Sequence, residues 1–305
     1  MDQIQKRLLE EVAGIHEIPE GAYSLRINGQ LHGKNSSENI EIVRKEDKPG
    51  IDIYIKPGTK KESVHIPVIL SQTGLKELVY NDFHVGEDCD VTIVAGCGIH
   101  NGGSETSEHS GVHSFYLAKN AKLKYIEKHY GEGDGNGKNV MNPHTHVELD
   151  EGAYMEMETA QIKGVDSTKR ITTAKVSKNA TLIVREKVMT HGVQFAETEF
   201  DVELNGENAG THVVSRSVAR DSSSQKFISR VKGNAKCSGH TECDAIIMDG
   251  ATVIAIPEIM AVNPDASLIH EAAIGKIAGE QLIKLMTLGL TEKEAEEEIV
   301  NGFLR

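Results

Sequence analysis

Apolar and polar residues alternate with a period of two along most of the chain, in short runs that stop at Asn, Asp or Gly. Ile51-Asp-Ile-Tyr-Ile-Lys56 is one such run, closed by the turn Lys56-Pro-Gly58, and the alternation is that of a half-buried strand. From residue 86 a repeat takes over: a polar or glycine turn, a small residue, then an alternating strand. It reads Glu87-Asp-Cys89, Lys119-Asn-Ala121, Glu151-Gly-Ala153, Lys178-Asn-Ala180, Glu207-Asn-Ala209, Gly233-Asn-Ala235, Asp249-Gly-Ala251 and Pro264-Asp-Ala266. The small residues lie 32, 32, 27, 29, 26, 16 and 15 positions apart. The last two intervals give a coil of about 15 residues, and the longer ones then hold two coils each. Such a period leaves no room for crossover helices, and a coil that cannot close its own core must stack on its neighbours. The pattern predicts a parallel β-helix, a right-handed solenoid; the competing architecture is a β-sandwich with tight Asn-Gly-type turns.

The period changes to 3.6 at both ends. Ile4, Leu8, Leu9 and Val12 share one face of a helix over residues 2–12, with Gly14 as its C-cap. The repeat stops near Ala272. Leu282, Leu285 and Met286 then line a helix that Gly289 terminates. Thr291 and Glu294 form a capping box for a second helix carrying Ala295, Ile299 and Phe303. Three segments follow: an N-terminal helix and small α/β segment (1–85), a β-helix core (86–275) and a C-terminal helical segment (276–305). By pattern alone the last segment serves equally as an end cap or as a docking surface.

Composition narrows the function. Of 305 residues only 6 are Phe, 7 Tyr and none Trp, so the core is aliphatic and sugar binding is disfavoured. A formal net charge of −13 repels phosphate backbones and argues against nucleic acid as partner. The start lacks the apolar run of a secretory signal, and no segment is apolar enough to span a bilayer. With Cys89, Cys97, Cys237 and Cys243 as reduced thiols, the expected compartment is the cytoplasm.

The glycine-rich stretch 131–137 fails as a phosphate loop. Glu132 stands where glycine is required and Asn139 where Ser or Thr would hold magnesium, so it reads as a mobile loop and no nucleotide is expected. Three clusters offer soft or borderline ligands: Cys97 with His100, His109 and His113; His144 with His146; and Cys237, His240 and Cys243. None has a CxxC pair or zinc-finger spacing, and for each taken singly a turn histidine or buried thiol is the plainer reading. A Cys243–His nucleophile pair is conceivable, but sequence does not place the two together.

The stretch Cys237-Ser-Gly-His-Thr-Glu-Cys243-Asp-Ala-Ile, then Pro257-Glu-Ile, His270-Glu-Ala-Ala-Ile-Gly-Lys-Ile, Glu280-Gln-Leu, Leu288-Gly-Leu and Ile299-Val-Asn-Gly-Phe303 closely resembles the SufB/SufD family of iron–sulfur assembly scaffolds. The likeness is strong over 86–305 and weak before it, and the chain is similar to a short, single-gene SufBD form. The resemblance implies a β-helix core and a C-terminal segment that docks a SufC-type ABC ATPase through Leu282, Leu285, Met286, Ile299 and Phe303. It implies no catalysis, but a transient, labile iron–sulfur cluster, or its sulfur, held by Cys243, His270 and Glu271, with Cys97, His100 and His240 as weaker candidates. Pairing through the last coils would make a homodimer, and a cysteine desulfurase or sulfur carrier is an implied partner. The mid-core cysteine of the longer scaffolds has no counterpart here, where the chain reads His144-Thr-His146-Val-Glu. A SufD-like platform that binds the ATPase but no cluster is the alternative.

Overall fold

The computed structural model describes residues 1–17, 19 and 21–305. The chain opens with α1 (Gln3–Ala13), β1 (Ala22–Ile27), β2 (Gln30–Asn35), β3 (Ile40–Arg44), β4 (Gly50–Ile55), β5 (Lys60–Leu70) and β6 (Lys76–Val85). It continues through β7 (Asp90–His100), β8 (Ser107–Leu117), β9 (Lys122–Glu132), β10 (Asn139–Met141), β11 (His144–Leu149), β12 (Tyr154–Lys163) and β13 (Ser167–Val176). Then come β14 (Thr181–Thr190), β15 (Phe195–Leu204), β16 (Gly210–Ala219), β17 (Ser224–Gly233), β18 (Ser238–Ile247), β19 (Thr252–Ala261) and β20 (Ser267–Gly275). Two helices, α2 (Gly279–Thr287) and α3 (Glu292–Phe303), close the chain.

These strands build a parallel β-solenoid of two facing sheets. One runs β2-β1-β5-β7-β9-β12-β14-β16-β18-β20; the other runs β19-β17-β15-β13-β10-β8-β6-β4-β3, with β11 between β8 and β13. The pairing is parallel throughout except at the start, where β1–β2 and β3–β4 are antiparallel. The ladders run back without a break through β6–β8 and β5–β7 to β4 and β1, so the sequence boundary at residue 86 falls inside the solenoid.

The coil is longer than the repeat arithmetic suggested. Each coil carries two strands of about ten residues and advances by 27 to 32 residues, so the 15-residue unit is half a coil: one strand and one corner. The corner ladder of one sheet is Cys89, Ala121, Ala153, Ala180, Ala209, Cys237 and Ala266, each just before an in-register strand. Cys237 therefore holds the place that pattern gave to Ala235. The residues before four of them (Asp88, Asn120, Asn179 and Asn208) have φ of 54°, 57°, 55° and 60°, the left-handed region that Asn and Asp tolerate. Stacking aligns their side chains: Asn120 Nδ2 donates to Asp88 Oδ1 at 3.2 Å, and Asn208 Nδ2 to Asn179 Oδ1 at 3.1 Å. A small residue follows because the corner points into the core, where Cys89, Ala121, Ala180 and Ala209 are fully buried.

Helix α1 has the expected C-cap, Gly14, left-handed at φ 65°, and Asp2 and Gln5 add a capping box at its start. It buries Leu8, Leu9 and Val12 against the outer face of β5 and β7. Gly96 and Gly98 permit this approach, because a Cβ at Gly96 would lie 2.7 Å from the Val12 carbonyl oxygen and one at Gly98 3.0 Å from Leu8 Cβ. The glycine-rich loop is laid down on the loop of the preceding coil, not free: Gly135 N donates to Asn101 O at 3.2 Å and Gly137 N to Gly103 O at 2.9 Å.

Candidate functional site

Strand alternation decides which of the candidate residues meet. In β18 the odd-numbered residues, Gly239 to Ala245, point inward and the even-numbered ones outward; in β20 the inward residues are Leu268 and His270. Cys243 is 1% exposed, and its register partner on β20 is Ala272. His270 stands opposite Thr241, one inward position away from Cys243 on the neighbouring strand. The two therefore share the interior of the last coil. Both ring nitrogens of His270 are buried with no hydrogen-bond partner, an uncompensated desolvation that a ligand would relieve. Burial, then Glu186 and Asp244, push the Cys243 thiol up to about 12. Burial, then His240, lowers His270 and keeps its imidazole neutral. At rest the site holds a protonated thiol and a free imidazole lone pair, the set a thiophilic metal or cluster takes up on displacing the thiol proton.

Glu271 does not join them. As the residue after His270 it points outward, and its Oε2 lies 3.3 Å from His240 Nε2. The expected three-residue site thus divides into an inner pair, Cys243 and His270, and an outer group of His240, Glu242 and Glu271. Sequence reasoning missed Glu242 and a fourth outer member. His212 on β16 is the register partner of His240 across β16–β18, and only the ladder reveals that neighbourhood across 28 residues.

The weaker candidates separate in the same way. Cys97 is 2% exposed beneath α1 and faces inward beside His129, and burial pushes its thiol well above the ordinary range. His100 faces the other way, its Nδ1 3.2 Å from Glu132 Oε1. His144 and His146 do share the outer face of β11, where His146 meets Glu148 at 3.1 Å. The Cys89 thiol donates to the Lys56 carbonyl at 3.1 Å and serves the corner.

A buried polar lane that no motif announced leads along the interior toward Cys243. Asn81 Nδ2 lies 3.3 Å from His113 Nε2, His113 Nδ1 lies 2.8 Å from the Tyr125 hydroxyl, and that hydroxyl donates to Glu127 at 3.0 Å. Arg170, reaching across from β13, pairs with Glu127, lies 3.5 Å from Glu186 and 3.3 Å from His129. Glu186 accepts from Thr198 at 2.9 Å and from Ser215 at 2.8 Å, and Ser215 is the register partner of Cys243. Burial alone would raise Glu127, but Arg170 and then His129 hold it well below the ordinary carboxylate range. For Glu186 burial outweighs Arg170 and raises it. Glu127 is thus the more firmly ionised of the two carboxylates facing the guanidinium.

His113 makes stability acid-sensitive. With its Nδ1 proton on Tyr125 and its Nε2 accepting from Asn81, a second proton has no acceptor, and burial lowers the ring from 6.5 to about 4. A base with a depressed folded-state pKa contributes stability above its unfolded value, and that contribution is lost as pH falls from about 6.5 to about 4. At pH 5 the loss from this ring alone is about 2 kcal/mol. Denaturant midpoints at pH 7.5 and pH 5 check it; equal midpoints, or a higher one at pH 5, would reject it.

The C-terminal helices use their apolar residues differently from the sequence reading. Val300 and Leu304 pack with Val218 on the solenoid wall, with Phe303, Met189 and Ile246 against them, so Phe303 works in anchoring. Leu282, Leu285 and Ile299 are half-buried. The free apolar surface is Ile283 at 62%, Met286 at 43% and Leu288 at 80% exposure, of which pattern had singled out only Met286. Thr291 and Glu294 form the expected capping box. No helix among the described residues is long and apolar enough to cross a membrane.

Comparison with known proteins matches residues 77–303 to the family model described as SUF system FeS cluster assembly, SufBD core domain. An iron-sulfur cluster assembly SufBD family protein of Archaeoglobus fulgidus is 31% identical over 278 residues, 89% of this chain and 72% of that relative. One from Methanocaldococcus jannaschii is 30% identical over 272 residues, 88% and 85%. The iron-sulfur cluster assembly protein SufB of Bacillus subtilis is 37% identical over 101 residues, 32% of this chain and 22% of that protein.

Proposed function

The chain belongs to the SufBD family of iron–sulfur cluster assembly proteins, and on that premise we propose that it is a non-catalytic scaffold holding a nascent cluster, or the sulfur that feeds one, at the C-terminal end of the solenoid. The observation that carries this is the inner pair: a buried thiol and a neutral imidazole with two unpartnered nitrogens, side by side in the last coil. One chain supplies two such donors, fewer than a cluster requires, so the site is completed by a second copy. Strands β19 and β20 end their sheets with free edges, templates for strand addition. The same coil exposes Ile259, Met260, Val262 and Ile269, each 47% or more, an apolar patch that pairing covers. Anaerobic reconstitution with iron and sulfide, read by visible absorption, tests the reading; a dimer that takes up no cluster would leave the protein a platform.

The free face of α2 is the docking surface for an ABC-type ATPase. Charged residues at Ile283 and Leu288 leave the α3 anchor, Val300 and Leu304, untouched. Ile283→Glu with Leu288→Glu is therefore expected to weaken ATPase binding at least about tenfold while thermal unfolding is unchanged. Full-affinity co-purification of the double variant would remove the assignment.

A further inference from the structure

The outer face of the sheet carries a second constellation, back to back with the inner pair. His212 on β16 and His240 on β18 stack with ring centroids 5.1 Å apart and planes 4° from parallel, the spacing of neighbouring strands. Glu242 lies two residues after His240 on the same face, with Oε1 3.1 Å from His212 Nε2 and 3.6 Å from His240 Nδ1. Among the described residues this is the group of three whose donor atoms all lie within 4.8 Å of one another. Two ligands bound about 2.05 Å from one tetrahedral ion stand about 3.4 Å apart, and these separations bracket that value. The remaining nitrogen of His240, Nε2, is 3.3 Å from Glu271 Oε2. That is the arrangement in which a carboxylate fixes the tautomer and orientation of a metal-bound imidazole. Arg185, in the same row as Glu242 two strands away, is engaged with Glu156, leaving the cluster's negative charge uncompensated from that side.

We propose that His212 Nε2, His240 Nδ1 and the Glu242 carboxylate bind a divalent transition-metal ion on the outer wall of the solenoid, with Glu271 as the positioning residue for His240. Two imidazoles and one carboxylate select Zn2+, Fe2+ or Co2+ over Mg2+ and Ca2+, which want oxygen alone. Three protein donors leave a fourth position open to water or an incoming ligand. The ring edges are half-exposed, with His212 at 42% and Glu242 at 27% side-chain accessibility, so the ion enters from solvent without opening the coil. Cys243 is adjacent to Glu242 in sequence but lies on the opposite side of the sheet, so the two sites are chemically separate. The proposal stands whether or not a cluster forms inside.

Cobalt titration of the full-length, chelator-stripped protein tests this. The expected result is one Co2+ per chain with visible ligand-field bands and no near-ultraviolet thiolate-to-cobalt charge transfer, and competition by one equivalent of Zn2+. His212→Ala with Glu242→Gln is expected to weaken binding at least about 100-fold, and Glu271→Gln about tenfold, whereas Cys243→Ser leaves the titration unchanged. Glu271 is 66% exposed, so its variant supplies the readout if the double variant fails to fold. Full affinity in the folded double variant or in Glu271→Gln, or a single bound Co2+ whose charge-transfer band Cys243→Ser abolishes, would overturn the proposal.

Discussion

Replacing Arg170 by methionine is expected to destabilise the solenoid by about 3–5 kcal/mol, the cost of leaving buried carboxylates without their cation. The guanidinium is inside the core and joins the two sheets: it comes from β13 and meets Glu127 on β9 and Glu186 on β14. Glu127 is held ionised chiefly by Arg170, so in the variant it must either take up a proton or remain an unpaired buried charge. The exposed pair Arg185–Glu156 provides the contrast; Arg185→Met is expected to cost at most about 1 kcal/mol. Urea unfolding of both variants at neutral pH measures the difference. Adding Glu127→Gln and Glu186→Gln to Arg170→Met should restore part of the loss, because the charges that needed compensation are gone. Equal midpoints for Arg170→Met and Arg185→Met would show that the lane is not what braces the two sheets.

The fold was readable because its repeat is built from local chemistry. The small corner residue recurs at each coil, preceded at four of them by a left-handed Asn or Asp and at a fifth by Gly152, and alternation then orients the strand. The coil length was misread because Ala251 opens a strand of the opposite sheet, whereas Ala266 opens one of the corner-ladder sheet. The two were counted as successive turns when they are the two halves of one. For the candidate site, the residue types were legible and their grouping was not. Period-two alternation places His270 and Glu271 on opposite faces, and Cys243 opposite Glu242, so residues adjacent in the motif are the ones a strand separates. His212 was out of reach, since its partnership with His240 depends on a register that only the stacked coils set. The lane of His113, Tyr125, Glu127 and Arg170 was hidden for the same reason: its members come from strands of both sheets.

Cys243→Ser is expected to remove most of the cluster absorbance obtained on anaerobic reconstitution, weakening cluster retention at least about tenfold, while leaving the oligomeric state unchanged. The argument rests on position and on softness. Among the four cysteines, Cys243 is the one set one inward position from His270, whose two ring nitrogens are both buried without a partner, and a serine hydroxyl is too hard a donor to replace thiolate toward iron. His270→Ala should lower the absorbance only in part, since imidazole is a ligand that water or an added thiol can replace. Cys89→Ser should change little, because that thiol is fixed at a corner near the other end of the solenoid by its bond to Lys56. Cys97 is the remaining competitor, but five strand spacings separate β7 from β18, about 24 Å, so one cluster cannot draw on both thiols of a chain. Light scattering beside the absorption spectrum separates the outcomes. A dimer whose spectrum disappears with Cys243→Ser places the cluster at the seam between two last coils. A monomer that keeps a full cluster refutes the shared site, and an unchanged spectrum in Cys243→Ser would shift the thiol ligand to Cys97, which faces the interior beside His129.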